Sequence, residues 1–292
     1  MVILTAKYKV FMKVKLIECP RDAMQGLANF INTDTKVNYL NTLLKVGFDT
    51  LDCGSFVNPK IIPQMADTAE VLNRLNMTQT KLSVIVANVR GAQSAIQFDE
   101  ITYLGFPFSI SETFQKRNTN TTIEESLETV ESIIELCHKH KKKFIAYLSM
   151  GFGNPYNELW NEEIVSTWIK KLKERGANYF SLSDTVGVSN PETITKLITH
   201  ITHEFPKLNF GCHFHTRPND WEEKIEAAYN AGCNRFDGAL KGFGGCPMAN
   251  DELVGNMPTE KLVNYFESHN VKLGLDKEKF NEALILANKV FS

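Results

Sequence analysis

Three stretches of the chain, LLKVGFDTLD (43–52), LKERGANYFSL (172–182) and AYNAGCNRFDG (228–238), repeat one plan. Each is the last turn of a helix, then a glycine, then a short apolar strand. A helix C-terminus wants a left-handed residue just past its end, and Gly47, Gly176 and Gly232 supply it. A unit that returns from helix to strand in so few residues belongs to an alternating α/β architecture. Eight candidate strands recur through the chain: Val14–Cys19, Phe48–Cys53, Leu82–Ala87, Glu100–Leu104, Lys143–Leu148, Tyr179–Leu182, Phe210–His213 and Arg235–Asp237. Most are short and continuously apolar, as strands covered on both faces must be.

The segments between them are amphipathic. Ile123, Leu127, Val130, Ile134 and Cys137 fall at spacings of three and four, which makes a helical stripe. Thr122 followed by Glu125 is a capping box at its start, and Asn190-Pro191 is an N-cap with proline at the first helical position of another helix. Eight strand–helix units without a Pro/Gly-rich linker predict a (β/α)8 TIM barrel. An open doubly wound sheet fits less well, because no G-x-G-x-x-G follows the first strand. The expected organisation is a single catalytic domain over residues 1–292, with the barrel at about 13–268 and an outer helix at about 277–290. Residues 1–11 read as an extension preceding Met12.

The net charge of −2 offers no field for nucleic acid or an anionic membrane, so an anionic substrate must meet local Lys and Arg. The basic run Lys139–Lys143 falls at a helix end, where it complements the dipole. Six scattered cysteines without a CxxC suit reduced thiols and a cytoplasmic location. The chain has no apolar run of membrane-spanning length and no signal-peptide core at its start.

Barrel enzymes place their chemistry at the C-terminal ends of the strands. There the sequence offers Arg21, Asp22 and Gln25 after the first strand, Asp52 at the end of the second, and Asn88 and Arg90 after the third. Asp184 and Thr185 follow the sixth, His213 and His215 end the seventh, and a loop with Lys241, Gly242, Gly244, Gly245 and Cys246 runs from the eighth to Asn256. Closure sets strand eight beside strand one, so the ends of strands seven, eight, one and two form one arc. Residues two apart on a strand project to one side, so His213 and His215 can share an ion while Phe214 points away. Taken alone, each of these features has a plain structural reading: an HxH at the rim, an Arg21–Asp22 ion pair, a buried packing cysteine at 246. Together, two imidazoles, a carboxylate and an amide oxygen suit Mg²⁺ or Mn²⁺ better than a thiolate zinc site.

The segments VKLIECPRDAMQG, LDCGSFVNPKIIPQMAD, SLSDTVGV, HFHTRP and GFGGCPMANDELVGNMPTEKLV together resemble hydroxymethylglutaryl-CoA lyase, a metal-dependent TIM-barrel family, over about Lys13 to Phe266. By that resemblance Arg21 holds the substrate thioester, Asp22, His213, His215 and Asn256 ligate a divalent cation, and Cys246 is the active-site cysteine. The implied reaction cleaves 3-hydroxy-3-methylglutaryl-CoA to acetoacetate and acetyl-CoA. Asp22 or His213 would take the hydroxyl proton, and Cys246 would protonate the enolate carbon. Gln25, Asp52, Asn88, Asp184 and Thr185 are expected around the substrate; Arg90, Lys116, Arg117 and Lys241 are candidates for coenzyme A phosphates. A homo-oligomer, dimer or higher, is the other expected partner. Three departures stand out: Asp52 where many members carry Glu, Thr216-Arg217-Pro218 where many carry Asp-Thr after the histidines, and one extra residue between the GGCP loop and Gly255-Asn256. The competing readings are a condensing synthase of the same superfamily, a non-catalytic acyl-CoA-binding barrel and an HxH amidohydrolase. The synthases usually carry a further C-terminal region, and the amidohydrolases place the histidine pair on the first strand.

Overall fold

The computed structural model describes residues 13–245 and 254–291. Eight parallel strands follow one another around it: β1 (Lys15–Glu18), β2 (Thr50–Ser55), β3 (Lys81–Ile85), β4 (Ile101–Ser109), β5 (Lys143–Ser149), β6 (Tyr179–Asp184), β7 (Asn209–Thr216) and β8 (Arg235–Gly238). β1 pairs with both β2 and β8, and β7 with both β6 and β8, so the sheet closes into a barrel. The helices are α1 (Pro20–Gln25), α2 (Thr33–Val46), α3 (Thr68–Leu72), α4 (Val89–Ala95), α5 (Glu112–Thr119), α6 (Ile123–Lys139), α7 (Glu162–Glu174), α8 (Pro191–Glu204), α9 (Trp221–Asn230), α10 (Thr259–Ser268) and α11 (Lys277–Val290). A two-residue strand, β9 (Gly255–Asn256), adds antiparallel to the end of β7. The fold is the (β/α)8 TIM barrel with an extra C-terminal helix. No helix among the described residues is long and apolar enough to cross a membrane.

Local chemistry accounts for the elements. Thr122 and Glu125 form both arms of the capping box at α6, and Asn190 with Thr193 does the same at α8. Gly47, Gly176 and Gly232 carry φ of 92°, 100° and 101°, the left-handed turn from helix to strand. The stripe of α6 buries Ile123, Leu127, Val130, Ile134 and Cys137 against the barrel, at roughly 1.5–3 kcal/mol for each fully buried large apolar side chain. β4 runs five residues past the expected Leu104, because Gly105 and Pro107 mimic a turn in the sequence yet stay in register with β5. The basic run after α6 is only partly solvated: Lys142 is buried, and its ammonium donates to the carbonyls of Phe98 and Asp99.

The large core lies between strands and helices. Inside the barrel a small apolar cluster of Ile85, Tyr103, Ile145 and Tyr147 adjoins polar residues, among them Ser181, Asp237 and Arg235. That polar interior underlies the site. Outside, Phe280 of α11 meets Phe48, and Phe291 just past α11 meets Tyr39.

Candidate active site

α1 starts directly after β1 with Pro20 at its first position, where the fixed φ is already helical. Its first turn therefore carries Arg21 and Asp22 over the C-terminal mouth of the barrel. Both are buried, and Gln25, one turn on, bridges them: its carbonyl accepts from Arg21 Nη1 at 2.8 Å and its amide donates to Asp22 at 2.8 Å. Asp52 lies within β2 rather than at its end, just ahead of a register shift between Asp52 and Gly54. Such bulges re-aim side chains beside functional sites. Asp52 accepts from Arg21 Nε at 3.0 Å and Nη2 at 2.6 Å, and Asp22 accepts from Nη1 at 2.9 Å. A guanidinium has five N–H donors. Among the described residues four are engaged, leaving one Nη2–H.

β7 extends to Thr216, so His213 and His215 both lie inside a strand and project to one side. Phe214 packs the other way, against Phe152. Each imidazole stands with Nε2 at 4.0 Å from Asp22 Oδ2, and one ligand atom from each of the three residues fits within 4.8 Å of the others. β9 pairs Asn256 with His215, which brings the amide alongside. Asn256 Nδ2 donates to Asp22 Oδ2 at 2.7 Å and to the Phe243 carbonyl at 2.9 Å. Its buried Oδ1 has no hydrogen-bond partner among the described residues.

Burial acts to raise the Asp22 carboxyl, but Arg21, His213 and His215 outweigh it and bring it down to about 2. Burial, with the charge of His213 adding to it, pushes His215 down to about 4. Burial lowers His213 too, yet Asp237 and Asp22 prevail and leave it raised. Burial likewise outweighs Arg21 at Asp52, whose carboxyl sits above its ordinary value. At neutral pH the cluster thus holds an ionised carboxylate, a neutral imidazole and an orphaned amide oxygen. Donors that share a cation at about 2.1 Å stand roughly 3–4 Å apart, so the residues present fit a hard or borderline divalent ion with N/O ligands.

Asp237, absent from the sequence expectations, lies 3.4 Å from His213 Nδ1 and also accepts from Ser181. A carboxylate behind a ligand histidine fixes its tautomer and orientation. The signal was present: Arg235 and Asp237 alternate on β8 as the two histidines do on β7, and their side chains pair at 3.1 Å.

Other expected residues are engaged elsewhere. Asn88 caps α4 by accepting from Gly91 N. Thr185 Oγ1 accepts from Met150 N, and Asp184 gathers Val188, Ser189 and Lys224. Lys116 pairs with Glu112, Arg117 lies over the Tyr156 ring, and Arg90 and Lys241 are exposed. Cys246 lies outside the described residues. The root of its loop is in place, however: a Cβ on Gly244, at φ 96°, would meet Asn256 Nδ2 at 2.7 Å and Asp22 O at 2.8 Å. Glycine there lets the loop press onto two candidate ligands.

The HMGL-like family model matches residues 13–286. The chain belongs to the HMGL-like family. It is 32% identical over 274 residues to the cytoplasmic 3-hydroxy-3-methylglutaryl-CoA lyase of Rattus norvegicus, covering 92% of this chain and 79% of that one. The crystal structure of the HMG-CoA lyase of Bacillus subtilis superposes with a TM-score of 0.90 at 29% identity, covering 96% and 94% of the two chains. The HMG-CoA lyase of Acenitobacter baumannii, in complex with coenzyme A and 3-methylmalate, gives 0.89 at 28% identity, covering 96% and 91%.

Proposed function

We propose that this HMGL-like protein is a divalent-metal-dependent carbon–carbon lyase that cleaves 3-hydroxy-3-methylglutaryl-CoA to acetoacetate and acetyl-CoA. The observation that carries the reading is the convergence of Asp22, His213, His215 and Asn256 beside an arginine with one donor to spare. Those four residues would hold the cation, Mg²⁺ or Mn²⁺, which lowers the pKa of the substrate's tertiary hydroxyl and fixes the reacting geometry. Asp22 or His213 takes the hydroxyl proton. As the C2–C3 bond breaks, charge passes to the thioester oxygen, where the spare Nη2–H of Arg21 can meet it. Asp52 and Gln25 hold that guanidinium in one orientation, so no reorganisation is needed as the charge forms. Cys246 donates the proton that completes acetyl-CoA; Gly244, two residues before it, packs closely on Asn256 and Asp22. Arg90 and Lys241, which are exposed, and Lys116 and Arg117, which would have to leave Glu112 and the Tyr156 ring, are the candidates for the phosphates of coenzyme A. All five described cysteines are free, which suits a reducing, cytoplasmic setting.

The test is a coupled assay for acetyl-CoA release, run with Mn²⁺ or Mg²⁺ against chelator. Cleavage that stops with chelator and returns with the ion is expected. Cleavage unaffected by chelator would remove the metal from the mechanism. Condensation of acetyl-CoA with a 2-oxo acid, without cleavage, would favour the synthase.

A further inference from the structure

Lys224 of α9 is fully buried, and lysine is almost never so unless paired. Its Nζ lies 2.9 Å from Asp184 Oδ2 at the end of β6, 3.0 Å from the carbonyl of His215 on β7 and 3.4 Å from the carbonyl of Gly187 in the loop after β6. Three N–H donors thus meet three acceptors, and Asp220 Oδ2 stands 3.5 Å away at the start of α9. The position of His215 explains the need. Parallel pairing of β7 with β6 ends at Asp184↔Phe214, and pairing with β8 ends at His213↔Asp237. His215 is therefore the first residue past both ladders, buried at the mouth of the barrel. On one side β9 takes over, pairing His215 with Asn256. On the other, the Lys224 ammonium supplies the donor that the ladder no longer provides for the His215 carbonyl.

We propose that Lys224 is a positioning residue for the divalent-cation site: it clamps the backbone of His215 to the β6 loop and so fixes where that imidazole points. The proposal rests on the metal-site reading above and deepens it. Asp184, expected from the sequence to contact substrate, becomes the anchor of this clamp: it accepts from Val188 N and from Ser189 N and Oγ as well as from Lys224. Residues that orient a ligand histidine set metal affinity over about 10- to 100-fold, so the clamp acts on cation binding rather than on the chemical step.

The experiment titrates Mn²⁺ into the apo-protein, following free Mn²⁺ by electron paramagnetic resonance, with melting temperatures measured in parallel. Lys224→Met leaves the Asp184 carboxylate buried without its cation and is expected to lower the melting temperature. The double variant Asp184→Asn/Lys224→Met removes both charges. The carboxamide oxygen it introduces can still accept from the Val188 and Ser189 amides, so a folded protein is available for titration. In both variants the Mn²⁺ Kd should rise at least about tenfold, and saturating Mn²⁺ should restore kcat. A double variant with the wild-type Kd overturns the proposal, whatever its melting temperature. His215→Ala separates the two readings. If it loses Mn²⁺ while the double variant binds normally, the metal site stands and the clamp falls. If the wild type binds no Mn²⁺, both fall.

Discussion

Asp52→Asn isolates the role of the guanidinium. Asp52 is fully buried and holds Arg21 by two hydrogen bonds, Nε at 3.0 Å and Nη2 at 2.6 Å. Removing one partner of a buried ion pair outright costs about 3–5 kcal/mol. Two features of the site reduce that figure. Asp22 stays within 2.9 Å of Arg21 Nη1, so the guanidinium keeps a counter-charge, and the asparagine carbonyl can still accept one of the two bonds. What is lost is one charge-assisted hydrogen bond and part of the attraction, about 2 kcal/mol. For a chain of 292 residues that corresponds to a melting temperature lower by roughly 3 °C. Arg21 then samples other orientations, and its spare N–H is no longer held toward the proposed position of the thioester oxygen. Each 1.4 kcal/mol lost in the transition state is about tenfold in rate, so kcat/KM is expected to fall roughly 10- to 100-fold. Asp52 touches none of the four candidate ligands directly, so the Mn²⁺ Kd should stay within about threefold, a change worth less than 1 kcal/mol. Steady-state kinetics and an Mn²⁺ titration on the same preparation decide the matter. A Kd that rises in step with the loss of turnover would move Asp52 into contact with the ion. Unchanged kinetics would show that Arg21 needs no second carboxylate.

Cys246→Ser is expected to lose at least about 10²-fold in turnover, the scale of a positioned proton donor, with little change in substrate binding or melting temperature. Alkylation should inactivate the wild type and substrate should protect it; near-normal turnover in the variant would send the proton through a histidine or water. At Glu18, burial pushes the carboxyl from 4.5 up to about 8, so between those values the folded chain holds a proton that the unfolded chain has released. Its contribution is full below pH 4.5 and is lost as pH rises through about 8. Glu18→Gln keeps an acceptor for Leu240 N and a donor toward Thr259 Oγ1, and should flatten that slope, gaining on the order of 1 kcal/mol per pH unit crossed. Urea unfolding at pH 5.5 and 8.5 checks it, and an unchanged slope would place the titration elsewhere.

What the sequence disclosed and what it concealed divide along a physical line. Strand positions, caps and left-handed glycines depend on neighbours within a few residues, and Thr122 with Glu125 or Gly47 could be read directly. The arc of Arg21, Asp22, His213 and His215 was legible because barrel closure and strand alternation are general rules that convert chain order into proximity. Asp237 obeys the same alternation rule, with Arg235 and Asp237 two apart like His213 and His215, but "RFDG" taken locally is an ordinary ion pair at a strand end. Lys224 is a different case. On α9 it follows Glu222 and Glu223 and reads as one more charge on a solvated helix face. Its burial is set by where the β6 and β8 ladders stop pairing with β7, which no local pattern encodes. A residue chosen by the end of a hydrogen-bond ladder becomes visible only when the register of three strands is known, and it is there, one step behind the candidate ligands, that the proposed clamp on His215 lies.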